Sequence, residues 1–220
     1  MADNYLKLAR QAREEDNAED AKKFYDMVRT DDPENVEAKF FYAYFNLSDA
    51  VNKDVPNKFV DYAKTAVSCV KMLKESALSD KEKMDLLEVM ANTHAEEAES
   101  TYRYVFGKRD RSNSEHVDPN GIYSMSEVNG VQRTAIHSLE DMGNSIADLF
   151  GSDPKAMSLA AKLWEGIFSV QIFSQWYFFQ SGSTKEESTK KWHDLVGKIQ
   201  KVDSSFATPQ QPKMVTCGSK

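Results

Sequence analysis

Residues 4–43 read NYLKLARQAREEDNAEDAKKFYDMVRTDDPENVEAKFFYA, and this stretch decides the fold. Tyr5, Leu8, Ala9 and Ala12 recur at intervals of three and four, which sets them on one face of an α-helix. Asp16-Asn17 interrupts the pattern, and an Asn side chain at that point accepts from the free N–H groups of the next helix. A second helix is predicted over 18–30, with Ala21, Tyr25 and Val28 on its apolar stripe. Asp31-Asp32-Pro33 stops it, because proline disfavours helical geometry in its predecessor and lacks a backbone N–H. A third helix is predicted from about Glu34, with Ala38, Phe41, Tyr42, Ala43 and Phe45 among its apolar positions.

These positions resemble a tetratricopeptide repeat, a helix–turn–helix unit of about 34 residues. With Tyr5 at the repeat's first aromatic position, Leu8 and Ala9 fall where the family prefers Leu and Gly, and Ala12 where it prefers Tyr. Ala21 takes the small position of the second helix, Tyr25 its aromatic, Val28 a position usually Ala, and Pro33 the closing proline. Ala43 follows Ala9 by one repeat length, again small where two helices approach. The resemblance covers residues 3–46 and extends loosely to 76. It implies an all-α fold whose partner lies in a concave groove lined by the first helix of each hairpin. By the same resemblance Lys7, Gln11, Lys39, Tyr42 and Asn46, the outward residues of the first and third helices, are the expected partner-binding residues.

Further along, a helix is predicted over 57–76, carrying Phe59, Ala63, Ala66, Val67, Val70 and Leu73. Ser79 and Glu82 form a capping box opening a helix that reaches Phe106. Residues 107–121, rich in Gly, Ser, Asn, Asp and Pro, read as a linker. Beyond it come helices over 126–150, 154–179 and 184–203. The first carries a near-heptad seam, Val128, Val131, Ala135, Leu139, Met142, Ile146 and Leu149, which would let two copies pair. The second is apolar on most sides around Trp176, Tyr177, Phe178 and Phe179, as in a helix buried among others. The expected organisation is a repeat-like unit with a capping helix over 1–107, an antiparallel bundle of longer helices over 122–203 and a flexible tail over 204–220. Two hairpins are too few to bury their own ends, so the later helices are expected to cap them.

Composition narrows the function. The chain has 220 residues and a formal net charge of -7, which disfavours a nucleic-acid surface. Residues 1–50 hold twelve Asp/Glu against seven Lys/Arg. Two cysteines, Cys69 and Cys217, exclude a disulfide framework and a four-thiolate metal site. Cys69 is expected to be a small core residue. The N-terminus lacks the charged and apolar regions of a secretory signal, and the most apolar window, 166–179, is shorter than the roughly 20 residues a spanning helix needs. A cytoplasmic protein is expected.

Motifs that carry chemistry are scarce. No histidine follows a glutamate by three residues, as a carboxylate-bridged di-iron site requires, and no His-Glu-x-x-His is present. His94 and Glu97 occupy neighbouring helix positions that could ligate one ion, but a partly buried, hydrogen-bonded histidine is expected. Asp118-Pro119-Asn120-Gly121 places its glycine too early for a calcium loop, and phosphate-binding and nucleophile-elbow glycine motifs are absent. The run Lys108-Arg109-Asp110-Arg111 is too short for a nucleic-acid footprint. Met214-Val215-Thr216-Cys217-Gly218 resembles one knuckle of a zinc ribbon with Met214 replacing the first cysteine, and one thiolate does not hold a structural zinc. Some bacterial proteins of unassigned activity place a zinc ribbon beside a helical repeat similar to residues 17–43. The sequence therefore predicts a non-enzymatic module that binds a protein or peptide and carries no cofactor. A helical bundle binding an apolar ligand or metal, centred on Trp176, and a homo-oligomer formed through the 128–149 seam stand as alternatives.

Overall fold

The computed structural model describes residues 2–109, 122–172 and 185–210. Among them, eight α-helices account for nearly all regular structure: α1 (Ala2–Glu14), α2 (Ala18–Asp31), α3 (Val36–Ser48), α4 (Val55–Glu75), α5 (Asp80–Gly107), α6 (Met125–Phe150), α7 (Pro154–Ile172) and α8 (Lys185–Val202). The protein is all-α, as its periodicity predicts.

Helix starts follow local chemistry. The Asn17 side chain accepts from the Asp20 N–H at 3.2 Å, and Asn35 accepts from the Ala38 N–H at 3.0 Å. Ser79 with Glu82 and Ser124 with Glu127 both make complete capping boxes. The Asp153 carboxylate accepts from the Lys155 and Ala156 N–H groups ahead of α7. Between α3 and α4 a single 3-10 turn, Asn52–Asp54, takes up the longer connection, with Asn52 at φ 48°.

Packing proceeds in order along the chain. Helix α2 sits between α1 and α3, and α4 meets α3, α5 and α6. Helix α5 touches α4, α6 and α7, and α8 packs on α7. One hydrophobic core runs from Ala9 through Phe41, Tyr62 and Leu139 to Ile199. The core is therefore continuous across the linker on which the expected domain boundary was placed. The linker's ends also lie together: Ile122 and Tyr123 N–H groups donate to the Lys108 carbonyl at 2.9 and 3.2 Å. Buried Tyr123 donates to the Asn52 carbonyl at 2.5 Å, which ties the entry of α6 to the turn before α4.

Burial agrees with most of the expected core positions and departs from others. Ala9, Ala21, Tyr25, Val28 and Cys69 are core, but Leu8 is 41% exposed. The seam of α6 is buried at Val128, Val131, Ala135, Leu139, Met142 and Ile146, because α4, α5 and α7 of the same chain cover it. That face is not available to a second copy. The first residues of the expected tail are docked, with Phe206 5.9 Å from Phe168 between ring centroids and its carbonyl accepting from Gln200. Trp176–Phe179 and the zinc-knuckle-like residues 214–218 lie outside the described residues.

His94 is fully buried, and its Nε2 stands 3.1 Å from Ser138 Oγ. Ser138 Oγ also lies 3.1 Å from the Ala135 carbonyl, so its hydroxyl bridges the imidazole and the α6 backbone. Nδ1 has no hydrogen-bond partner, and the Tyr62 ring lies 5.5 Å from the imidazole. Burial lowers the His94 pKa to about 4. The unfolded chain then binds a proton that the folded chain refuses between about pH 6.5 and about 4. Stability is predicted to fall by roughly 3 kcal/mol across that window. Denaturant melts at stepped pH will show this slope in the wild type and its loss in His94→Gln.

Gly143 admits close approach of α7 to α6. A Cβ there would lie 2.6 Å from Trp164 Nε1, whereas one at Gly130 on the same helix would meet nothing within 4 Å. Trp164 is itself buried. Relative to Gly130→Ala, Gly143→Ala is predicted to be less stable by about 1–3 kcal/mol, read as a shift in urea midpoint at constant slope.

Candidate functional site

Three helices that are not neighbours in sequence share one concavity. A cleft of about 640 Å³ is lined by Leu6, Arg10 and Arg13 of α1, by Val36 and Glu37 of α3, and by Glu82, Asp85, Leu86 and Val89 of α5. The α2–α3 turn adds Asp32, Glu34 and Asn35, and the α4–α5 turn adds Ser76, Ala77 and Leu78. A second cleft of about 410 Å³ shares Arg13 and continues between Phe41 and Tyr44 of α3 and Thr93, Glu96, Glu97 and Ser100 of α5. Early residues of α3 and α5 line the first cleft and later ones the second, so the two helices run the same way. Alternate helices thus form one groove.

Glu37 organises its floor. The residue is 5% exposed, and its carboxylate accepts from Arg10 Nε at 3.0 Å and from Arg10 Nη2 at 2.5 Å. The Tyr25 hydroxyl donates to Glu37 Oε1 at 3.0 Å, and Arg13 Nη1 lies 3.5 Å from the same oxygen. Arg13 Nη1 also donates to the Tyr25 hydroxyl at 3.0 Å, and its guanidinium sits 4.1 Å over the Phe41 ring. The hydrogen bond to Glu37 raises the Arg10 pKa against the opposing effect of burial. Tyr25 is also raised, first by burial and then by the Glu37 charge, so its phenol stays protonated and donating.

The walls are acidic. Glu82 is held below its ordinary pKa by hydrogen bonds from Ser79, and Asp85 by its partner Lys81. In the second cleft Glu97 is raised by burial, and its carboxylate is held by Thr101 Oγ1 at 2.5 Å. Between the walls lie half-buried Leu6 and Leu86 and the exposed side chains Leu78 and Val89.

The five residues expected to bind a partner do not line this groove. Lys7 and Gln11 are exposed one residue out of phase with the Leu6–Arg10–Arg13 stripe, and Gln11 donates to Glu15 at 2.8 Å. Lys39 turns towards α4, with its Nζ 3.3 Å from Met72 Sδ. Tyr42 lies under the Arg29 guanidinium at 3.8 Å and lines a separate cleft on the α2 side. Asn46 is half-buried and outside the groove. The difference has a physical cause: groove-facing side chains on a concave surface shade one another, so the most outward residues of a helix are not those that face the groove. Glu37 was missed because a glutamate reads as solvated. Its spacing of three, four and seven from Phe40, Phe41 and Tyr44 sets it on the apolar stripe of α3.

No protein-family model, curated protein or solved structure matches this chain. Among the described residues no group of three or more His, Cys, Asp or Glu side chains is placed to hold a metal ion, and no helix is long and apolar enough to cross a membrane.

Removing the Glu37 carboxylate leaves Arg10 and the buried Tyr25 phenol without their acceptor and Arg13 without its counter-charge. Glu37→Ala is predicted to destabilise by about 2–4 kcal/mol, discounted from a fully buried pair because Arg10 is half-exposed. Arg10→Met is predicted to cost about 1 kcal/mol or less, since Arg13 and Tyr25 still satisfy Glu37. Urea unfolding of the two variants checks the order.

Proposed function

We propose that this protein is a non-enzymatic interaction module of the tetratricopeptide-like class, and that its partner binds in the groove between α1, α3 and α5. The observation that carries the reading is the convergence of alternate helices on one concave surface. A repeat array presents the first helix of each hairpin on its inner face, and α1, α3 and α5 stand in that relation. The fold also supports this use of the surface. Helices α6 and α7 bury themselves against α4 and α5, and α8 against α7, and none of the three lines the groove. Leu78 and Val89 are each 38% exposed and lie together within it, beside half-buried Leu6 and Leu86.

The reading predicts a sharp separation of two variant sets. Leu78→Asp with Val89→Asp will abolish capture of a specific partner by tagged full-length protein in host extract, at least tenfold by quantitative mass spectrometry. Alanine at Lys7, Gln11, Lys39, Tyr42 and Asn46 will leave it within twofold. Circular dichroism confirms that both sets stay folded. The opposite pattern would return the binding surface to the outer faces of α1 and α3.

A further inference from the structure

We infer that the groove is built for a basic amphipathic segment of a partner protein, one that carries a row of apolar side chains flanked by Lys or Arg. The inference rests on the binding role proposed for the groove and adds the chemistry of the occupant. Charge complementarity carries it. Asp32 and Glu34 stand on one wall of the larger cleft, and Glu82 and Asp85 on the other. The two guanidiniums offset them only in part: Arg10 and Arg13 share Glu37, and Lys81 pairs with Asp85, so the carboxylates of the cleft still outnumber the cations around them. An incoming cation meets carboxylates on both sides, and an incoming anion meets their surplus.

The floor specifies the rest. Leu78 and Val89 expose apolar surface between those walls, beside Leu6 and Leu86, so a purely polar polycation would leave it wet. Acidic groups recur along α5, at Glu82 and Asp85 and again at Glu96 and Glu97 in the adjoining cleft. From Asp85 to Glu96 the helix rises about 17 Å, which matches roughly three turns of a bound helix. An acidic peptide, or a nucleic acid with its phosphates, would place like charges against both walls.

Two labelled 18-residue helical peptides test this with the full-length protein by fluorescence anisotropy. One is built of Leu and Lys, the other of Leu and Glu in the same positions. The Leu–Lys peptide is expected to bind at least tenfold more tightly. Glu34→Lys with Asp85→Lys should weaken it at least tenfold, whereas Asp61→Lys with Asp148→Lys, an equal charge change outside the cleft, should weaken it less than twofold. Equal effects of the two pairs would show attraction to overall charge alone and overturn the inference. If the Leu–Glu peptide binds better and is lost on Leu78→Ser with Val89→Ser, the groove binds peptides but the basic assignment falls. If neither peptide responds to any cleft variant, the groove reading falls as well. Concentration-dependent self-association by sedimentation that the Glu34/Asp85 pair abolishes would assign the cleft to a second copy, and would equally overturn a partner segment.

Discussion

A carboxylate inside the first helical layer constrains much of what surrounds it. Glu37 occupies a position where burial alone would favour an apolar residue, and it is held there by Arg10, Arg13 and Tyr25 from two other helices. Such a network adds little net stability, because the desolvation of the charges offsets much of their attraction. Its effect is on geometry. A guanidinium fork admits few approaches to a carboxylate, so α1 is fixed in register against α3 while Tyr25 fixes α2. The Tyr25 ring then stacks on Phe41 at 5.2 Å, and the aromatic cluster of α3 follows from that placement. The same network offsets one of the two arginine charges, so the remaining carboxylates leave the groove net acidic.

The longer helices extend this layer. Helix α5 contributes to both regions: one part of its surface lines the groove and another enters the core beside α6 and α7. His94 belongs to the core-facing part, neutral and bonded to Ser138, while Glu97 one turn later belongs to the groove. Close contact of α6 with α7 depends on Gly143, where the absent Cβ leaves space for Trp164. The stacking of the first helices thus continues through the later ones, with one core from α1 to α8.

Much of the helical layer was legible from residue order. Asn17, Pro33, Ser79 with Glu82 and Pro154 marked helix ends because their effects reach only a few residues along the chain. The stripes of α2 and α6 were legible for the same reason, since a period of 3.6 needs no tertiary contact to be seen. The candidate site was hardly legible. Leu8 reads as core and is exposed, Glu37 reads as exposed and is core, and the expected Lys7, Gln11, Lys39, Tyr42 and Asn46 point away from the groove. Each difference is one of phase, and a single residue's shift on a helix turns a side chain by about 100°.

The sequence by itself determined the elements: all-α structure, the caps, and the apolar stripes that would have to be buried. It also limited the chemistry, through two cysteines and few histidines. Tertiary structure alone decided that residues 122–123 return to Lys108 and keep one core, and that the α6 seam is covered by its own chain. It also decided that residues near 6, 37 and 86 meet in one cleft. The reason is the range of the forces involved. Helix formation and capping depend on neighbours within about four residues, whereas a groove is a relation between helices dozens of residues apart, set only when their cores and the Glu37 network close together.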